Sequence, residues 1–235
     1  MTVAPEHRPK RSYHDACGAA RALDLVGERW TLLVVRELLL GPKRFTDLRA
    51  GLPGISPNVL SQRLDELAQI GVVHKRKLPP PVSTAVYDLT DWGRELDTVI
   101  MSLNRWGARA RTVYRCADVG TDSLVVSLRT FFVPESTAGA QATYDLYFTG
   151  PDSATDEFHA IVDNGAFTIT RGATGTAATT VHTGVPAFVA VVFDGHRVEE
   201  IIAAGDMTVA GDVAAVEQFA TYFELPAECA ANEAR

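Results

Sequence analysis

The sequence predicts an α+β fold in two domains, on three observations. The chain has 235 residues, about one and a half times an ordinary ~150-residue domain. Its hydrophobic share of 46% and charged share of 22% belong to a chain that buries a core. Helical apolar spacing with one hairpin fills the first half, whereas alternating strands followed by helices fill the second. Charge divides with them. Residues 1–118 hold 18 Lys+Arg against 13 Asp+Glu, net +5, and residues 119–235 hold 4 against 16, net -12, which together return the formal -7. Only the first half favours a polyanion, unless both are simply solvated surfaces of unequal charge.

Composition also excludes. The longest apolar runs, such as Val185–Phe193, fall far short of the ~18 residues a spanning helix needs. The start, MTVAPEHRPKRSYHD, carries basic residues without the apolar core of a secretory signal. Cys17, Cys116 and Cys229 are odd in number and widely spaced, so no disulfide framework is expected. The expectation is a soluble cytoplasmic protein with no membrane partner.

From Asp15 to Val26, Ala16, Ala19, Ala20, Leu23 and Val26 form one helical stripe, closed by Gly27. A second, strongly apolar helix spans Trp30–Leu40 and ends at Gly41-Pro42. A short third helix sets Phe45 and Leu48 on one side before Leu52-Pro53-Gly54 breaks the chain. Ser56-Pro57 reads as an N-cap with proline at the first helical position. Leu60, Leu64 and Leu67 then make the inward stripe of a fourth helix. Asn58, Ser61, Gln62 and Asp65 face outward, with Arg63 at the margin. Short amides and hydroxyls near a helix N-terminus, with an arginine, have the chemistry to read base edges in a major groove. A plain solvated face has the same composition.

The next segment shifts the balance. Val72–Leu78 and Ala85–Leu89 read as strands joined by Pro79-Pro80-Pro81-Val82-Ser83-Thr84. A hairpin directly after the candidate reading helix, with Lys75-Arg76-Lys77 on its first strand, is the plan of a winged helix. Its wing cations would lie along phosphates, adding affinity without sequence information. Thr90 caps a long helix bearing Leu96, Val99, Leu103 and Trp106.

The stretches that carry a family likeness are Cys17, Ala22-Leu23, Gly27-Glu28-Arg29-Trp30-Thr31-Leu32-Leu33, Arg36-Glu37-Leu38 and Gly41-Pro42. They continue through Arg44-Phe45, Leu48, Leu52-Pro53-Gly54-Ile55-Ser56-Pro57, Leu60, Arg63-Leu64, Leu67, Gly71, Tyr87, Leu89-Thr90, Gly93, Leu96 and Trp106-Gly107. On these, residues 17–107 resemble the HxlR-type winged-helix transcriptional regulators. The resemblance implies a homodimer joined by its terminal helices, binding double-stranded DNA at an inverted repeat with one reading helix per half-site. The candidate DNA-binding residues are Arg44, Ser56, Asn58, Ser61, Gln62, Arg63, Lys75, Arg76 and Lys77. Cys17 stands where many relatives of this type carry an N-terminal cysteine, which in some senses oxidants or electrophiles. Its other reading is a small buried apolar residue.

Nothing points to catalysis. His7, His14, His74, His159, His182 and His196 show no metal-ligand spacing, alone or with cysteine. The run Arg171-Gly172-Ala173-Thr174-Gly175-Thr176 does not match a dinucleotide loop and reads as a turn. No nucleophile with a base is visible, so neither an enzyme, a cofactor nor a metal is expected.

Residues 108–122 are polar and basic and lose periodicity, so a winged-helix domain over 1–115 and a second domain over 121–228 are expected. Ser123–Phe132 is ambiguous between helix and strand. Ala142, Tyr144, Leu146 and Phe148 alternate as a half-buried strand, as do Phe158, Ala160 and Val162. Asn164-Gly165 supplies a tight turn into Phe167 and Ile169. A strand over 177–183, helices over Pro186–Phe193 and Val198–Ala204, a strand over Met207–Ala210 and a helix from Asp212 complete the order. That last helix carries Val213, Val216, Ala220 and Phe223. The run Ile201–Asp212, ending Gly-Asp before an amphipathic helix, gives residues 121–225 a resemblance to the sterol carrier protein-like fold. It implies an apolar ligand between sheet and helices, with Phe188, Val192, Phe219 and Phe223 as candidate lining; the same four residues could simply fill a core.

The function expected is a dimeric DNA-binding transcriptional regulator whose second domain takes a small apolar effector or contributes to assembly. The alternative is a lipid or small-ligand binding protein whose winged helix serves protein contacts.

Overall fold

Helices in the first half begin where a side chain or a backbone twist lets them. The computed structural model describes residues 12–79, 83–110, 119–150 and 154–227. There α1 (Gly18–Val26) starts after Cys17, whose N–H is taken by the Asp15 carboxylate at 2.8 Å. Gly27 closes it. α2 (Thr31–Leu38) follows Trp30, which sits in the left-handed region at φ 78° and so cannot itself be helical. α3 (Phe45–Ala50) and α4 (Pro57–Gln69) come next, α4 capped by the Ser56 hydroxyl, which accepts the Val59 N–H.

Strands β1 (Val73–Lys77) and β2 (Ala85–Leu89) pair antiparallel, Val73 opposite Leu89 and Lys77 opposite Ala85. The long helix expected after Thr90 is interrupted at Glu95, giving α5 (Asp91–Arg94) and α6 (Leu96–Gly107). Thr90 caps α5 by accepting the Gly93 N–H at 3.0 Å.

Val34, Val35 and Leu38, Leu48, Leu60, Leu64 and Leu67, and Val86 and Leu89 make the core of this part. The stripes on α1 and α6 behave differently. Leu23, Val99, Leu103 and Trp106 are 51%, 45%, 47% and 75% exposed, and only Val26 and Ile100 of these two helices are buried.

The chain divides into two compact units, residues 1–100 and 101–235. Residues 1–11, Pro80–Val82, Cys116 and Cys229, and with them most of the expected linker, lie outside the described residues.

In the second unit α7 (Thr121–Phe131) settles the ambiguous run as a helix burying Leu124, Val125, Val126, Leu128 and Phe131. A 3-10 turn, Pro134–Thr137, leads into β3 (Gln141–Thr149), β4 (Thr155–Asp163) and β5 (Ala166–Arg171). Asn164 and Gly165 both have positive φ, 47° and 90°, as a two-residue hairpin turn requires. β6 (Thr179–Thr183), α8 (Val185–Val192), α9 (Val198–Ala203), β7 (Met207–Ala210) and α10 (Val213–Ala220) follow.

The sheet order is β5-β4-β3-β6-β7, antiparallel except for the β3–β6 pair. The chain therefore leaves β5, crosses β4 and β3 through residues 172–178, and enters β6 in the same direction as β3. Asp145, fully buried on β3, ties that crossing down. It accepts the N–H groups of Thr174 and Gly175 at 3.1 and 2.7 Å and faces His159 Nδ1 at 2.7 Å. Tyr144, Leu146, Phe148, Phe158, Ala160 and Val162 fill the opposite face.

Candidate nucleic-acid interface

The reading surface begins with what holds α3 and α4 in place. Glu37 on α2 is 2% exposed and is gripped by Arg36 at 2.8 Å and Lys43 at 2.7 Å. The turn after α3 presses on that carboxylate: a Cβ on Gly51 would stand 2.2 Å from Glu37 Oε2. With Leu60, Leu64 and Leu67 buried, α4 leaves Asn58, Ser61, Gln62 and Asp65 exposed together. Gln62 donates its amide to Glu66 at 3.0 Å.

Three of the expected base or phosphate contacts are otherwise engaged. Arg63 is 7% exposed, not marginal, and its guanidinium meets Glu66 at 2.9 Å and Glu28 at 3.8 Å. A buried arginine paired to two carboxylates braces α4 from inside and does not face a groove. Ser56 is exposed but spends its hydroxyl on the cap. Arg44 is exposed and forks onto Asp47 at 2.8 and 3.0 Å. Burial alone would raise the Asp47 carboxyl, but the hydrogen bonds and charge of Arg44 prevail and hold it below its usual range.

The wing stands beside α4 and is fastened to the unit. Lys43 and Tyr87 exchange backbone hydrogen bonds at 3.0 and 2.8 Å, joining β2 to the segment before α3. Asp88, 4% exposed, accepts Arg76 at 2.9 Å and Arg94 at 2.9 Å. Arg76 is thus a strut as well as a surface cation. The Lys75 ammonium lies 5.5 Å from the Tyr87 ring centre, and Lys77 is exposed. Sequence reasoning missed Asp88, Glu37 and Glu28 as organisers; their partners are set by the fold, and a single carboxylate in a strand or helix announces nothing.

Cys17 is exposed at the head of α1, contrary to its buried reading. The backbone N–H groups of Ala19 and Ala20 lower its thiol pKa.

In the second unit the four candidate lining residues are buried. Phe188, Val192, Phe219 and Phe223 are 0%, 7%, 1% and 7% exposed. Phe219 stands ring to ring with Phe223 at 4.8 Å and Phe188 at 6.0 Å. Among the described residues no group of three or more His, Cys, Asp or Glu gathers to hold a metal ion, and no helix is long and apolar enough to cross a membrane.

Residues 25–114 match the family model of the HxlR-like helix-turn-helix, and residues 126–228 match that of the alkyl sulfatase C-terminal domain. The chain is 38% identical over 86 residues to an uncharacterized HTH-type transcriptional regulator, YvaP, of Bacillus subtilis, covering 37% of this chain and 80% of that one. It is 36% identical over 85 residues to the HTH-type transcriptional regulator YodB of the same organism, covering 36% and 76%. Among solved structures, the inverting sec-alkylsulfatase Pisa1 from Pseudomonas sp. superposes with a TM-score of 0.41 at 17% identity, covering 46% of this chain and 17% of that one. For residues 126–228, where the sequence suggests a sterol carrier protein-like fold, the family matched is the alkyl sulfatase C-terminal one.

Proposed function

The chain belongs to the HxlR-like helix-turn-helix family and is a DNA-binding transcriptional regulator, and from that premise we propose how it reads DNA. α4 enters a major groove with Asn58, Ser61 and Gln62 toward base edges, and Lys75 and Lys77 of the wing lie along phosphates. The observation that carries this is the outward row on α4, capped at its N-terminus and flanked by a hairpin of exposed cations. Arg63 is left out, because its charge is already spent on two glutamates.

Two copies act together. Val99, Leu103 and Trp106 are exposed along the single helix α6, an apolar stripe that a second copy would cover. Two reading helices so joined suit an inverted repeat with half-sites ~34–36 Å apart. The second unit, acidic over residues 119–235 with a net charge of -12, adds no phosphate contacts. We read it as a non-catalytic accessory domain.

A footprint of the full chain across the region upstream of its own gene tests the reading. The expected result is protection of two symmetric half-sites. A single unrepeated footprint from a chain that sediments as a monomer at micromolar concentration overturns the dimer.

A further inference from the structure

We propose that Glu66 is a positioning residue for base readout: it fixes which end of the Gln62 side-chain amide faces DNA, and so sets one base of each half-site as adenine. This rests on the reading that Gln62 faces base edges, and it gives that contact its base.

The helix itself brings three side chains together. Residues three and four apart are neighbours on a helix surface, so Glu66 reaches both Gln62 and Arg63. Arg63, 7% exposed, brings its Nη1 to 2.9 Å from Glu66 Oε2, and Glu28 stands 3.8 Å from the same nitrogen. Buried and flanked by two carboxylates, that guanidinium anchors Glu66 on the side of α4. The other oxygen, Oε1, accepts Gln62 Nε2 at 3.0 Å. Gln62 itself is exposed, so the rest of its amide is open to a partner.

The acceptor decides the orientation. A carboxylate only accepts hydrogen bonds, so it takes the NH2 end of the amide; the amide turned over would set oxygen against oxygen. That leaves outward the Gln62 carbonyl oxygen and the second N–H of Nε2. One acceptor beside one donor matches adenine, whose major-groove edge offers an N6–H donor and the N7 acceptor. Guanine offers two acceptors, O6 and N7, and asks for two donors. With one N–H spent on Glu66, Gln62 cannot supply both. Cytosine offers a donor alone and thymine an acceptor alone, so adenine is the base that satisfies both free groups.

The test selects duplexes from a random-sequence pool with the full chain, its Gln62→Ala and its Glu66→Gln. The parent should favour adenine about tenfold over guanine at one position of the half-site, and Gln62→Ala should relax that position. Glu66→Gln sets beside Gln62 an amide that can donate to its oxygen. Gln62 is then able to turn both N–H groups to guanine, and the preference for adenine should vanish at that position alone. A mere brace would weaken every sequence alike. A second arm needs no variant: in the selected duplex, purine in place of that adenine removes the N6 donor, and 7-deazaadenine removes the N7 acceptor. Each should weaken binding of the parent about fivefold. Guanine selected by the parent, an adenine preference that survives Glu66→Gln, or full affinity for either modified duplex overturns the proposal and leaves Gln62 on the bases. A Gln62→Ala selection that relaxes no position refutes the placement of Gln62 itself, and the proposal with it.

Discussion

At the scale of single residues, the division of labour is between side chains that face out and side chains that hold them there. Gln62→Ala should cost ~1–3 kcal/mol on the operator and relax one base position, because a base contact carries sequence information. Lys77→Ala should weaken operator and random duplex alike and flatten the salt slope by ~1. Anisotropy titrations on both duplexes check the pair, and equal effects of Gln62→Ala on both DNAs would refute its assignment. Lys77 is the better probe of phosphate contact because Arg76 also braces Asp88.

Removing that brace from the other side, Asp88→Ala, should lower stability by about 2 kcal/mol, since a buried acceptor of two arginines is lost; urea unfolding measures it. Asp145 sets a pH dependence. Burial alone would raise its carboxyl, but His159 and the Thr174 and Gly175 N–H groups outweigh that and hold it below the usual range. Its contribution is therefore complete above about pH 4, the ordinary aspartate value, and is lost as pH falls through the lowered one. Asp145→Asn should be less stable than the parent at pH 7, and the gap should narrow on acidification below about pH 4. A gap that does not change with pH would show that the ionised form is not what holds the crossing loop.

At the scale of elements, signals local to the chain were readable and signals between elements were not. Ser56-Pro57 places the start of α4, alternation places β3 and β4, and Asn164-Gly165 places their neighbour's turn, because each acts within a few residues. Ser123–Phe132 is apolar enough to serve in either form, and it folds as the greater part of helix α7. Spacing alone sets Arg63 at the margin of the outward face; Glu28, thirty-five residues earlier, and Glu66 draw it inward. Two substitutions test the joints directly. Ser56→Ala removes a cap and should cost about 1 kcal/mol. Gly93→Ala sets a methyl against the Val72 carbonyl and should cost ~1–3 kcal/mol through overpacking. Thermal or urea denaturation reads both, and a neutral Gly93→Ala would mean that α5 is free to move off Val72.

At the scale of the whole molecule, the first half carries what DNA binding needs, a basic balance and a capped reading helix beside a wing. The exposed apolar stripe of α6 is where we propose that a second copy packs. Leu103→Glu should shift the sedimentation of the full chain toward the monomer without unfolding it, because Leu103 is 47% exposed. DNA binding by α4 and its wing is tested most directly by one titration: affinity of the full chain for random duplex DNA from ~50 to ~200 mM salt. The logarithm of affinity should fall linearly with the logarithm of salt, with a slope near -0.9 for each phosphate engaged, and Lys77→Ala should flatten it. A chain that binds no duplex at 50 mM salt, or binds with a slope near zero, would contradict the assignment of α4 and its wing to DNA.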